Sequence, residues 1–184
     1  MERKKFLLTT AAAIPAYLIG QNVQTQKTKR PNKSFVVKAA ESRFDEKTLI
    51  GGKNPNDIKV SQKDTNGDLT VFEYTGNQKG GPPMHIHPHQ DEIFFIVQGE
   101  YLFQVGGDMH NLKAGDTIFL PRTVPHAFAQ LTDNGKMFFF FQPSGKMEDY
   151  FRALGSLTSP PTPEQGAKIF ADHEMKVIGP PLQF

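Results

Sequence analysis

Residues 80–99 read GGPPMHIHPHQDEIFFIVQG, and the spacing of acid and imidazole groups inside this stretch decides how the whole chain is read. His85 and His87 stand two apart, so on an extended strand both side chains leave from the same side. Two imidazoles a few ångströms apart on one face make a natural pair of metal ligands. Glu92 follows five positions after His87, an odd separation that an uninterrupted strand would turn to the opposite face. Pro88 cannot donate a ladder hydrogen bond and supplies a reason for the strand to break. A bend or bulge over residues 88–91 is therefore expected if Glu92 is to join the histidines. His89 shares the parity of His85 and His87 and could replace one of them, but the same bend would carry it toward the rim. His110 and His173 read as surface histidines.

Working outward, short apolar runs alternate with turn signals. EIFFIVQGEYLFQVGGD (92–108) reads as two strands joined at Gln98-Gly99-Glu100, with a further turn at Gly106-Gly107. DTIFLP (116–121), HAFAQL (126–131) and KMFFFFQP (136–143) add three more, and LTVFEYTG (69–76) precedes them. SFVVKAA (34–40) is expected as a first strand, and 53–57 and 64–68 as turns. Four consecutive phenylalanines at 138–141 are apolar on both faces, which predicts a central strand covered on both sides. Many short strands without helix-length patterns between them argue for a β-sandwich or barrel. Beyond residue 145, Met147, Tyr150, Phe151 and Leu154 recur at helical spacing, and 163–173 predicts a second helix with Pro163 in its first turn.

Composition narrows the chemistry. The 184 residues include 16 Phe, 16 Gly, 14 Pro and no Cys, so thiolate sites, disulfides and cysteine nucleophiles are excluded. The 21 basic and 19 acidic residues include Arg3, Lys4, Lys5 and Glu2 in the first twenty positions, which leaves the rest of the chain neutral. A neutral body gives no reason to propose a nucleic-acid partner. Residues 1–20 combine that positive start with an apolar stretch from Phe6 to Ile19, the pattern of an export signal. Residues 21–33 are polar and read as a linker, so an exported, periplasmic or extracellular location is expected.

The histidine stretch resembles the first motif of the cupin superfamily, G-x5-H-x-H-x3–4-E-x6-G, through His85, His87, Glu92 and Gly99. Its opening glycine is displaced, with Lys79 in place and Gly80 and Gly81 after it. The second motif, G-x5-P-x-G-x2-H-x3-N, is met by Gly115, Pro121 and His126, with Thr123 for the second glycine and Gln130 for the asparagine. The resemblance implies an all-β fold, a cupin jelly-roll β-barrel over residues 34–145, followed by a 146–184 extension with two short C-terminal helices. It also implies one divalent transition metal (Fe, Mn, Ni, Co or Zn) held by His85, His87, Glu92 and His126. Four protein ligands on an octahedral ion would leave two positions open.

Glu92 would then have a second, catalytic role, taking a proton from a substrate hydroxyl. Inward parity places Phe94, Ile96, Phe128 and Gln130 at the substrate pocket, with Phe139 or Phe141 beside them. The two helices and GPPL (179–182) resemble the single-domain quercetin-dioxygenase-like cupins. That likeness implies a metal-dependent dioxygenase acting with O2 on a flavonol-like or other phenolic or enol substrate. The alternatives are a metal-dependent isomerase or lyase, and a non-catalytic small-molecule-binding cupin. A homodimer formed along the strand at 34–40 is the family's implication for assembly.

Overall fold

A computed structural model describes residues 30–184; the expected export signal and most of the linker lie outside them. The strands are β1 (Leu49–Ile50), β2 (Asn54–Val60), β3 (Thr70–Gly76), β4 (Pro83–Ile86), β5 (Asp91–Gln98), β6 (Glu100–Val105), β7 (Asp108–Lys113), β8 (Thr117–Leu120), β9 (His126–Gln130), β10 (Gly135–Gln142) and β11 (Lys176–Pro181). A single turn, α1 (Gln62–Thr65), separates β2 from β3, and α2 (Met147–Gly155) and α3 (Pro163–Asp172) precede β11.

The strands form two antiparallel sheets, one in the order β1-β2-β3-β10-β5-β8 and one in the order β11-β4-β9-β6-β7. This is a jelly-roll barrel, and its core lies where the inner faces meet. Alternation along β10 sends Met137, Phe139 and Phe141 inward, all under 5% exposed. Phe139 stacks on Phe72 at 5.0 Å and on Phe94 at 5.5 Å, while Phe94 meets Phe103 of the other sheet edge-on at 5.1 Å. Each such ring taken out of water contributes roughly 1.5–3 kcal/mol.

The run 138–141 is indeed central in its sheet, but its outer face is only partly covered. Phe138 and Phe140 are half-buried, and on the same outer face Phe95 and Phe119 are exposed by 41% and 56%.

Three further expectations change. Residues 34–40 belong to neither sheet, and Val36 is 84% exposed, so the dimer edge placed there loses its basis. Residues 53–57, expected as a turn, instead open β2. Pro55 is tolerated there because it faces only the two-residue β1, and the β2–β3 register starts at Asn56↔Tyr74. The tail contributes a strand: β11 pairs with β4 through Val177↔His85.

The helices are tied down by a buried carboxylate. Glu148 accepts from Ser61 Oγ (3.1 Å), Thr70 Oγ1 (3.0 Å), Arg152 Nη2 (3.2 Å) and the Gln62 backbone N–H. A buried charge satisfied on both oxygens fixes α2 across the barrel. Helix α3 begins with a Thr162–Gln165 capping box and Pro163 at its start.

Candidate metal centre

His85 lies in β4, and His87 follows directly after its last residue. The chain then bends at residues 88 and 89 and enters β5. That bend moves the chain from the five-stranded sheet to the six-stranded one, so Glu92 faces the histidines from the opposite wall. The odd spacing is resolved by a change of sheet. His126, the first residue of β9, pairs directly with His85.

Ligand atoms of His85, His87, Glu92 and His126 all lie within 4.8 Å of one another. The four residues are at most 7% exposed. Nε2 of His85 and Nε2 of His87 are 3.2 Å apart, and Glu92 Oε2 lies 3.1 Å from His126 Nε2 and 3.6 Å from His87 Nε2.

Backbone carbonyls set two of the tautomers. His85 Nδ1–H donates to Pro83 O at 2.8 Å, and His126 Nδ1–H donates to Val124 O at 3.0 Å. Each therefore presents an Nε2 lone pair to the centre, the form a metal binds. His126 Nε2 makes no hydrogen bond despite its closeness to Glu92. His87 Nδ1 and Gln90 Oε1 are both buried and unpaired, though the Gln90 amide is close enough to favour protonated His87.

Burial, then the neighbouring His126, pulls His85 down to about 3; burial also holds His87 well below its ordinary value. Burial raises Glu92, against the opposing pull of His126. Neutral imidazoles whose nitrogens converge on one carboxylate form a donor set suited to a divalent transition metal. The orphaned nitrogen of His126 is what such an ion would satisfy. These residues fit a metal.

The motif departures are turn features. Gly81 is needed where it stands, because a Cβ there would lie 1.8 Å from Phe128 O. Thr123 takes the left-handed conformation (φ 69°) of the glycine it replaces, and its N–H donates to His87 O at 2.8 Å. His89 is exposed and outside the ligand group, as is His110. His173 is half-buried on α3's end, its ring 5.8 Å from Tyr150.

Above the ligands lies a cavity of about 740 Å³, within the roughly 300–1,000 Å³ usual for small-molecule pockets. Phe94 and Phe128 line it, together with Phe139 and Phe141. Ile96 and Gln130, expected there from parity, are not part of its wall. Ile96 is core. The Gln130 amide is consumed by Tyr101 Oη–H (3.2 Å), Gly76 O (3.2 Å) and Thr132 O (2.9 Å).

Parity on β5 and β9 could not show which inward residues reach the cavity and which lie beneath it. It also missed the opposite wall. Met147, Tyr150, Phe151 and Leu154 of α2 and Phe170 of α3 line the cavity, and Phe170 packs on the His85 ring at 5.2 Å. The helical stripe was visible in the sequence, but its partner was not.

A jelly-roll barrel with a buried three-histidine, one-carboxylate cluster under an apolar cavity defines a class of β-barrels with a candidate metal site. Residues 71–141 match the Cupin domain family, and the barrel they help to form is similar to the cupins. Over 107 residues it is 27% identical to quercetin 2,3-dioxygenase of Bacillus subtilis, covering 58% of this chain and 32% of that protein. The chain spans only 32–54% of the curated relatives it matches. Among solved structures, KdgF from Halomonas sp. superposes with a TM-score of 0.51 at 19% identity, covering 60% of this chain and 94% of that one. An RmlC-like cupin from Shewanella frigidimarina also gives 0.51, at 22% identity and 60% and 92% coverage. These two likenesses concern the fold.

Proposed function

We propose that the protein is a metal-dependent dioxygenase acting on a flavonol-like or other phenolic or enol substrate. The observation that carries this reading is the cavity above the four-residue cluster. Its wall is mostly aromatic and aliphatic, and among the described residues its one charged side chain apart from the cluster is Lys79. A polyanionic substrate would find no set of cations there, whereas a flat, mostly apolar molecule with an acidic hydroxyl fits. The distant relationship to a quercetin dioxygenase points the same way.

His85, His87, Glu92 and His126 would hold one divalent ion. That ion would supply Lewis acidity toward a hydroxyl or enol oxygen and open positions for substrate and dioxygen. Glu92, whose pKa burial raises, would accept the hydroxyl proton. Phe94, Phe128 and Phe139 provide faces against which a ring can stack. Helices α2 and α3 supply the wall of the cavity opposite the barrel strands.

Export belongs to this reading and rests on residues 1–20. A homodimer, if formed, would use the exposed phenylalanines at 95 and 119 better than residues 34–40.

The test is elemental analysis of purified protein, then oxygen-electrode assays with flavonols and catechols. Near-stoichiometric metal and O2 uptake that disappears in Glu92→Gln are expected. Metal without O2 uptake would sink the dioxygenase and leave an isomerase, lyase or binding protein. No metal would sink the site itself.

A further inference from the structure

Two tyrosines line the apolar cavity with hydroxyls that make no hydrogen bond to any described residue. Neither hydroxyl is among the sealed-off unpaired atoms, so both are open to whatever fills the cavity. Tyr150 stands on α2, its ring held edge-on by Phe170 at 5.1 Å. Phe170 in turn packs on the His85 ring at 5.2 Å, which puts Tyr150 at the end of the cavity where the four-residue cluster lies.

Tyr74 is elsewhere. On β10, Phe141 pairs with Glu92, whereas Met137 pairs with Tyr74. Four residues of strand separate the two positions, or about 13 Å at roughly 3.3 Å per residue. Burial pushes Tyr74 up to about 12, so it remains a donor at neutral pH. Beside it, Asn54 lies two residues before Asn56, the strand partner of Tyr74, and so shares its face. Asn54 also lines the cavity. Its Oδ1 accepts from Asn77 N at 2.8 Å, and its amide N–H groups make no hydrogen bond to a described residue.

We propose that the cavity measures a two-ended substrate. One hydroxyl or enol oxygen sits between Glu92 and Tyr150, and a second hydrogen-bond acceptor, toward the Tyr74 end of the cavity, meets Tyr74 and Asn54. This rests on the phenolic reading above and deepens it: the substrate is a multi-ring aryl compound with polar groups at both ends, not a single-ring catechol.

The experiment is direct binding, by calorimetry, of quercetin and of catechol to metal-reconstituted protein, with metal content measured for every variant. Tyr74→Phe is expected to weaken quercetin about three- to tenfold, the effect of one uncharged hydrogen bond, and to leave catechol unchanged. Tyr150→Phe is expected to weaken both probes. Equal losses for both probes in Tyr74→Phe at full metal content, or no loss for either, would overturn the two-ended arrangement while leaving the phenolic reading standing. If the wild type binds neither probe, the phenolic reading falls and this proposal falls with it.

Discussion

Replacing Glu92 by Gln separates a ligand from a structural acid, because the two roles predict opposite changes in stability. Glu92 is 5% exposed, and burial raises its carboxyl above the ordinary value. A folded-state value above the unfolded one means that its stability contribution is complete below the unfolded pKa. That contribution is lost as pH rises through the folded value. At pH 7.5 without metal, Gln removes a buried charge and keeps the shape, so the metal-free variant should melt at or above the wild type.

With metal the order reverses. At a hundredfold excess over Kd, binding stabilises the folded wild type by about 2.7 kcal/mol. For a chain of this size each kcal/mol moves Tm by roughly 2–4 °C, so the wild type should rise by about 5–11 °C. A neutral amide oxygen that lowers affinity about a hundredfold would leave the same metal concentration near Kd. The gain then shrinks to about 0.4 kcal/mol, or roughly 1–2 °C. Chelator-treated samples titrated with Mn(II), Fe(II), Co(II), Ni(II) and Zn(II) in a calorimeter give the two melting temperatures. A variant that keeps the full metal-induced rise, or whose metal-free form melts several degrees low, would refute the assignment of Glu92 as a ligand.

Gln90→Leu should lower metal affinity about 10- to 100-fold, because it removes the amide beside the His87 ring; competition with a chromophoric chelator measures it. Gln130→Ala should cost about 2–4 kcal/mol by leaving Tyr101 Oη and two carbonyls without their partner, with metal stoichiometry unchanged. Loss of metal in that variant would place Gln130 in the site after all. Thr123→Gly should stabilise by about 1 kcal/mol, since a β-branched residue in the left-handed region is strained by roughly 1–2 kcal/mol; urea denaturation reads this directly. Burial alone would raise Glu73, but hydrogen bonds from Lys136 and Lys59 lower it on balance. Its contribution is present above the unfolded carboxyl value and lost as pH falls through the lower folded one. Glu73→Gln should therefore flatten the fall in Tm between about pH 5 and 3, the ordinary carboxylate range, and an unchanged slope would exclude Glu73.

The sequence by itself paired His85 with His87, and the resemblance to the cupin motifs added Glu92 and His126, a group that the structure brings together. Local spacing fixes only the two-residue repeat of His85 and His87 and the break at Pro88, whereas His126 reaches them by pairing across the sheet. The sequence also determined the short strands and the two helices, each written in local periodicity and turn residues. β2 was not legible, because the local turn chemistry of Asn54-Pro55-Asn56-Asp57 was overridden by pairing with β3. β11 was not legible either, since an extended proline-rich tail becomes a strand only when β4 offers its edge.

The tertiary structure alone decided which inward residues see the cavity. Ile96 and Gln130 share parity with Phe94 and Phe128, but depth within the barrel is not a local property. It decided too that the helical stripe of α2 walls the cavity over the four-residue cluster, which brings Tyr150 to the same cavity as Glu92 from 58 positions away. Contacts between segments so far apart depend on how the sheets close, and no local pattern records that.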